Sequence, residues 1–169
     1  DNSPHAAQGI LEGFSYPVKG ADWTEQAAAA PVPGALEFLQ YADGKGVAVF
    51  YITNRREEFR AATRKNLTGI GFPFAGDDFL LMRTTTGDKQ SRRERVSQDY
   101  RIALLAGDNL GDFSSIFDAG DAEERSGLTD SKKDRFGYDF IVLPNAHYGR
   151  WLEIISSDEK SLTEQLEGF

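Results

Sequence analysis

The sequence predicts an α/β fold, a mostly parallel sheet with helices on both faces. Three observations carry that expectation. Short β-branched and aromatic runs alternate along the chain with segments whose apolar residues recur at helical spacing. A polar or glycine-containing stretch follows each run. Parallel neighbours need crossover connections, which the intervening helical segments would supply.

Residues 1–32 read as an irregular segment of loops and short helical turns, because Pro4, Gly9, Gly13, Pro17 and Gly20 are spaced too closely for a long helix. Pro31-Val32-Pro33-Gly34 sets up a helix whose apolar face is Ala35, Leu36, Phe38, Leu39 and Ala42, with Gly44 and Gly46 stopping it. Val47 to Ile52 is a continuous apolar run, expected to be a strand buried on both faces and ended by Thr53-Asn54-Arg55. Phe59, Ala62, Thr63, Asn66, Leu67 and Ile70 then mark a helix, closed by the segment from Gly69 to Pro73. The pattern repeats with a strand from Phe79 to Met82, a loop from Arg83 to Asp88 and a polar helix from about Lys89 to Gln98. Ile102 to Ala106 is a third strand, followed by Gly107-Asp108-Asn109 and by a helix whose apolar face is Phe113, Ile116 and Phe117. The stretch from Asp121 to Arg135 holds five acidic and four basic residues around a single large apolar one, Leu128, and reads as a solvated excursion. A fourth strand, Phe140 to Leu143, ends at Pro144-Asn145.

Composition narrows the function. At 169 residues, with 40% hydrophobic and 27% charged side chains, the chain suits one globular domain rather than a disordered or fibrous one. Its apolar runs are far shorter than the roughly 20 residues of a membrane-spanning helix. A net charge of −8, from 27 acidic against 19 basic residues, argues against nucleic acid polymers and anionic lipid surfaces as partners. An anionic ligand must therefore be small and met by a local positive cluster. The absence of cysteine removes disulfides, thiolate metal sites and cysteine nucleophiles together, and leaves both cytosol and periplasm open.

In parallel α/β sheets, ligands bind beyond the carboxyl ends of the strands. There the sequence places Thr53-Asn54-Arg55, then Lys89 after the second strand, then Asp108 and Asp112, then Asn145. A hydroxyl, an ammonium group and a carboxylate pair are what phosphoryl transfer needs: donors and positive charge for the non-bridging oxygens, and a ligand for a hard divalent cation. Each residue also has an ordinary reading. Thr53 alone is a turn former, Lys89 alone a solvated helix charge, and Asp108 with Asp112 alone a helix cap. Their order along one rim is what singles them out. Arg92, Arg93 and Arg95, which follow Lys89, make the local field positive and read otherwise as a solvated basic face. His5 and His147, the two histidines, read as polar surface groups without a part in this chemistry.

The series Tyr51-Ile52-Thr53-Asn54-Arg55, Lys89 and Gly107-Asp108-Asn109-Leu110-Gly111-Asp112-Phe113 resembles motifs two, three and four of the haloacid dehalogenase superfamily. Asp1-Asn2-Ser3-Pro4, Val32-Pro33-Gly34-Ala35, and Phe140 to Asn145 with Tyr148-Gly149 and Trp151 narrow the resemblance to the class C bacterial acid phosphatases, a group that includes outer-membrane lipoprotein 5'-nucleotidases. The resemblance covers residues 1 to about 152. It implies a Rossmann-like single domain over 1–169, with a cap segment at 1–32, a core at 33–152 and a helix or tail at 153–169.

It further implies a magnesium-dependent acid phosphatase acting on small phosphomonoesters, with nucleoside monophosphates favoured. Thr53, Lys89, Asp108 and Asp112 would be catalytic, and Thr53, Asn54 and Lys89 would bind the phosphoryl group. Asp108 would ligate magnesium, Asp112 would act more weakly through water or by orienting Lys89, and Trp23 and Tyr148 would stack the leaving group. In that family the nucleophilic aspartate and the acid/base aspartate two positions later end a central strand just before a segment like Asp1-Asn2. The expectation is therefore that this strand lies upstream of Asp1 and that the present chain alone is inactive. Attachment to the periplasmic side, outer membrane or cell surface is expected through the resemblance only. Two other readings are a catalytically inactive protein that keeps a phosphate or nucleotide pocket, and a receiver-type signalling domain. The Gly107 to Asp112 motif argues against the latter, whose acidic residues stand on earlier strands.

Overall fold

The computed structural model describes residues 20–118 and 120–145, together with Pro4, His5, Ala7 and Leu11. The chain divides into two compact units between Gly87 and Asp88. Each holds one two-stranded parallel sheet flanked by helices, so the expected mixed α/β character holds.

The first unit contains helix α1 (Gly20–Gln26), helix α2 (Ala35–Gly44), strand β1 (Tyr51–Arg56), helix α3 (Arg60–Gly69) and strand β2 (Leu80–Arg83). Helix α2 starts from a tight turn in which the Ala35 N–H donates to the Val32 carbonyl across Pro33-Gly34, at 3.0 Å. After α3, the Gly71 N–H donates to the Thr68 carbonyl and the Phe72 N–H to the Leu67 carbonyl. Gly71 has φ +80, the left-handed turn that such a double closure requires of its first residue outside the helix.

Strand β1 differs from its sequence reading. Val47 to Phe50 lie outside the ladder, Val47 is exposed, and Thr53-Asn54-Arg55 belong to the strand rather than to a loop beyond it. The partner sets these limits. Strand β2 begins at Leu80, which pairs with Tyr51, so the residues before Tyr51 have no opposite neighbour in this pair. The register then slips between Ile52 and Arg56. Leu80, Leu81 and Met82 are all buried, as a strand covered on both faces should be. Behind them Phe79 meets Phe50 and Phe74, and the Tyr51 hydroxyl donates to the Pro73 carbonyl at 2.6 Å.

The second unit contains helix α4 (Gln90–Asp99), strand β3 (Leu105–Gly107), helix α5 (Ala122–Ser131) and strand β4 (Phe140–Val142). Leu105, Ala106 and Gly107 pair with Phe140, Ile141 and Val142, so both strands end at the same edge. Phe113, Phe117 and Phe140 form the core, with Leu105, Leu110, Leu128 and Phe136 packed against them. Phe113 stacks on Phe140 at 5.0 Å between ring centres, and the Arg135 guanidinium lies 4.0 Å above the Phe140 ring.

One expectation is corrected here. The stretch after Asp108 is not one helix but two 3₁₀ turns, Leu110–Asp112 and Ser115–Asp118, which bury Phe113 and Phe117 yet leave Ile116 exposed. Tighter 3₁₀ winding rotates the side chains away from the assumed 3.6-residue face. The charged stretch from Asp121 is a helix, capped by the Asp121 carboxylate accepting from the Glu124 N–H at 3.0 Å. Among the described residues no helix is long and apolar enough to cross a membrane.

Candidate functional site

Two chain reversals bring polar groups to the shared end of β3 and β4. Strand β3 stops at Gly107, and a five-residue loop turns back at once. The Asp112 Oδ2 accepts from the Asp108 N–H at 3.0 Å and from the Asn109 N–H at 3.1 Å. Such a fold-back demands glycine at position 107. A Cβ there would lie 2.5 Å from Asp112 Oδ2 and 2.9 Å from its Cγ.

The other oxygen, Asp112 Oδ1, meets the Lys89 ammonium group at 2.7 Å, with both side chains largely withdrawn from water. Lys89 caps α4, and its carbonyl accepts the Arg93 N–H. Asp112 thus spends both oxygens on a lysine and two backbone donors, which makes it a group that orients others.

Asp108 is held differently. Its Oδ1 accepts from Asn109 Nδ2 at 2.9 Å and its Oδ2 from Asn145 Nδ2 at 3.2 Å. Asn145 reaches it because β4 runs parallel to β3 and delivers Pro144-Asn145 beyond the same edge. A carboxylate offers about four acceptor positions, so two amide donors leave capacity for a hard cation. The Asn109 Oδ1 is buried. Among the described residues no cluster of three or more carboxylates or histidines could hold a metal. One carboxylate supplemented by water and substrate oxygens fits magnesium, which commonly keeps several waters.

Of the expected site residues, Lys89, Asp108 and Asp112 come together in the second unit. Thr53 and Asn54 stand in the last half of β1 in the first unit, where the Thr53 Oγ1 accepts from the Arg55 N–H at 3.2 Å and Asn54 is exposed. Trp23 lies in α1, with the His5 ring stacked on it at 5.5 Å and nearly parallel. His5 is itself buried, which corrects its reading as a surface group: an aromatic neighbour shelters it. Tyr148, His147, Trp151 and the expected tail at 153–169 lie outside the described residues, as do Asp1 and Asn2.

The reading of the basic face also needs correction. Arg93 is 4% exposed, and its guanidinium donates to the carbonyls of Gly111 and Asp112, both at 2.9 Å, and to Gln90 Oε1 at 2.8 Å. Desolvation draws its pKa down, while Asp88, Asp112, Asp118 and Glu94 favour the charged form. One sequence signal pointed to it: Arg93 follows Lys89 by four residues and so shares its helix face. Asn109 and Asn145 carried no signal beyond their place in the motifs.

The chain is similar to known proteins over nearly its whole length. The family described as HAD superfamily, subfamily IIIB (Acid phosphatase) matches residues 1–151. The chain belongs to that family. The subfamily IIIB chain is also similar to the class C acid phosphatase from Bacillus anthracis, with 39% identity and a TM-score of 0.89 over 99% of this chain and 71% of that one. A structure of the Bacillus anthracis class C acid phosphatase with tungstate bound matches at 38% identity and the same TM-score, over 99% of this chain and 71% of that chain. A subfamily IIIB acid phosphatase hydrolyses phosphoric monoesters, and the lysine and carboxylate pair at the β3 edge suit that chemistry.

Proposed function

We propose that this protein is a magnesium-dependent hydrolase of small phosphomonoesters, with nucleoside monophosphates favoured. The observation that carries the reading is the arrangement at the β3 edge: Asp108 held by two amides, beside a lysine anchored by Asp112. Tungstate, a tetrahedral oxyanion, in the similar Bacillus anthracis structure supports a site for a phosphoryl group.

The nucleophile is the one the resemblance to the family implies, an aspartate ahead of the segment like Asp1-Asn2. That carboxylate attacks phosphorus, the ester P–O bond breaks, and the alcohol leaves with a proton from a second aspartate two positions further on. Water then cleaves the aspartyl-phosphate, returning the nucleophile and releasing inorganic phosphate. Asp108 would ligate magnesium, which when bound draws charge from the phosphoryl oxygens. Lys89 supplies a fixed positive charge to the same oxygens, the role in which the resemblance also casts the Thr53 hydroxyl and the Asn54 N–H. Trp23 is assigned to stack a nucleobase of the leaving group.

The test uses the full-length protein with a nucleoside monophosphate and with glycerol phosphate, with and without magnesium. Asp108→Asn is expected to lower kcat by about 10²–10³-fold, the usual cost of removing one electrostatic group from such a site. Turnover equal to wild type would remove Asp108 from the metal site. Trp23→Ala is expected to raise KM for the nucleotide by about fivefold or more, as loss of one stacked base implies, and to leave glycerol phosphate unchanged. Equal losses on both substrates would end the stacking assignment.

A further inference from the structure

We propose that Arg93 is a positioning residue for the phosphatase site, gripping the loop that carries Asp108 and Asp112 so that Lys89 and the two carboxylates keep one fixed geometry. The inference rests on the hydrolase reading for its kinetic consequences but on the structure for its mechanics.

Arg93 lies one helical turn beyond Lys89, and the Arg93 N–H donates to the Lys89 carbonyl at 3.0 Å. Both side chains leave the same face of α4 toward the 108–112 loop. Lys89 meets the Asp112 carboxylate, while the guanidinium of Arg93 holds the carbonyls of Gly111 and Asp112. Asp112 is therefore fixed at two points, its side chain by Lys89 and its main chain by Arg93. Gln90 Oε1 accepts from a second guanidinium nitrogen, Nη2, at 2.8 Å and sets the plane of the fork.

A planar fork suits this task. One nitrogen, Nη1, serves two neighbouring carbonyls while Nη2 reaches back to the helix, which a lysine ammonium cannot reproduce. The arrangement also explains why a guanidinium is withdrawn from water in a helix that is otherwise polar: its donors replace solvent with carbonyl oxygens. Arg92 donates instead to the Asp88 carbonyl at 3.1 Å and Arg95 is exposed, so both are expected to be dispensable for holding this loop.

The test is a set of Arg93→Lys and Arg93→Gln variants of the full-length protein, each also made in a Lys89→Met background. Arg93→Lys is expected to lower kcat by about tenfold to a hundredfold with little change in KM, since misplacing a catalytic group by about 1 Å costs up to 10²-fold. In the Lys89→Met background the same change should cost less than about twofold, because residues acting as a unit are not additive. An unliganded crystal structure of Arg93→Lys should show Lys89 Nζ displaced from Asp112 Oδ1. If Arg93→Lys does not fold, Arg93→Gln, which keeps one donor, carries the same comparison. Additive losses, or an intact ion pair with wild-type kcat per folded molecule, would overturn the proposal. A wild-type protein without turnover, in which the variant still displaces the ion pair, would overturn the hydrolase reading and leave Arg93 in its role.

Discussion

Replacing Gly107 by alanine is expected to damage the site without touching any residue that carries its chemistry. The added Cβ would stand 2.5 Å from Asp112 Oδ2, whereas ordinary contact begins at 3.4 Å, so the carboxylate must retreat by about 1 Å. Backbone φ at Gly107 is not in the left-handed region, so the effect is one of contact alone. A 1 Å retreat cannot preserve hydrogen bonds of 3.0 and 3.1 Å to the Asp108 and Asn109 N–H groups together with the 2.7 Å ion pair to Lys89. Hydrogen bonds to a charged group contribute about 1.5–3 kcal/mol each, so losing or bending two of them should destabilise the second unit by about 2–4 kcal/mol. Urea unfolding followed by fluorescence measures that loss. Turnover of a phosphomonoester should fall by about 10²-fold, because Lys89 and Asp108 both take their positions from Asp112. A Gly107→Ala protein with wild-type urea midpoint and wild-type kcat would show that the loop yields freely, and would refute the argument that Asp112 holds it.

Two further outcomes are expected. Asn145→Ala should weaken magnesium binding, measured by calorimetry, by about tenfold, the lower range for loss of a group that orients a metal ligand; unchanged affinity would deny Asn145 that part. Burial pushes the Tyr51 hydroxyl up to about 12 from 10.0, so its neutral form is favoured in the folded state. That contribution to stability is complete below pH 10 and is lost as pH rises toward 12. Urea midpoints taken across that window should fall more steeply for wild type than for Tyr51→Phe, and parallel curves would count against the burial effect.

The alternation of strands and helices was legible because burial imposes period on sequence. The β2 run reads as a strand and is one, since Leu80, Leu81 and Met82 have no polar side to show. Val47 to Phe50 look equally like a strand, but a ladder is as long as its partner, and β2 pairs only from Tyr51 onward. Helical spacing likewise misread Phe113 to Phe117, where two 3₁₀ turns pack the rings with a different period. At the site, Lys89, Asp108 and Asp112 stood out through residue type and order. Arg93 carried only its four-residue spacing from Lys89, because its burial depends on two carbonyls nearly twenty positions away.

The double anchoring of Asp112 has a thermodynamic consequence for recognition. Its two backbone bonds, the Lys89 contact and the Arg93 grip form as the chain folds, before any ligand arrives. A phosphate ester approaching this edge therefore meets a hard, already immobilised set of charges, and little conformational freedom is left to surrender at the moment of encounter.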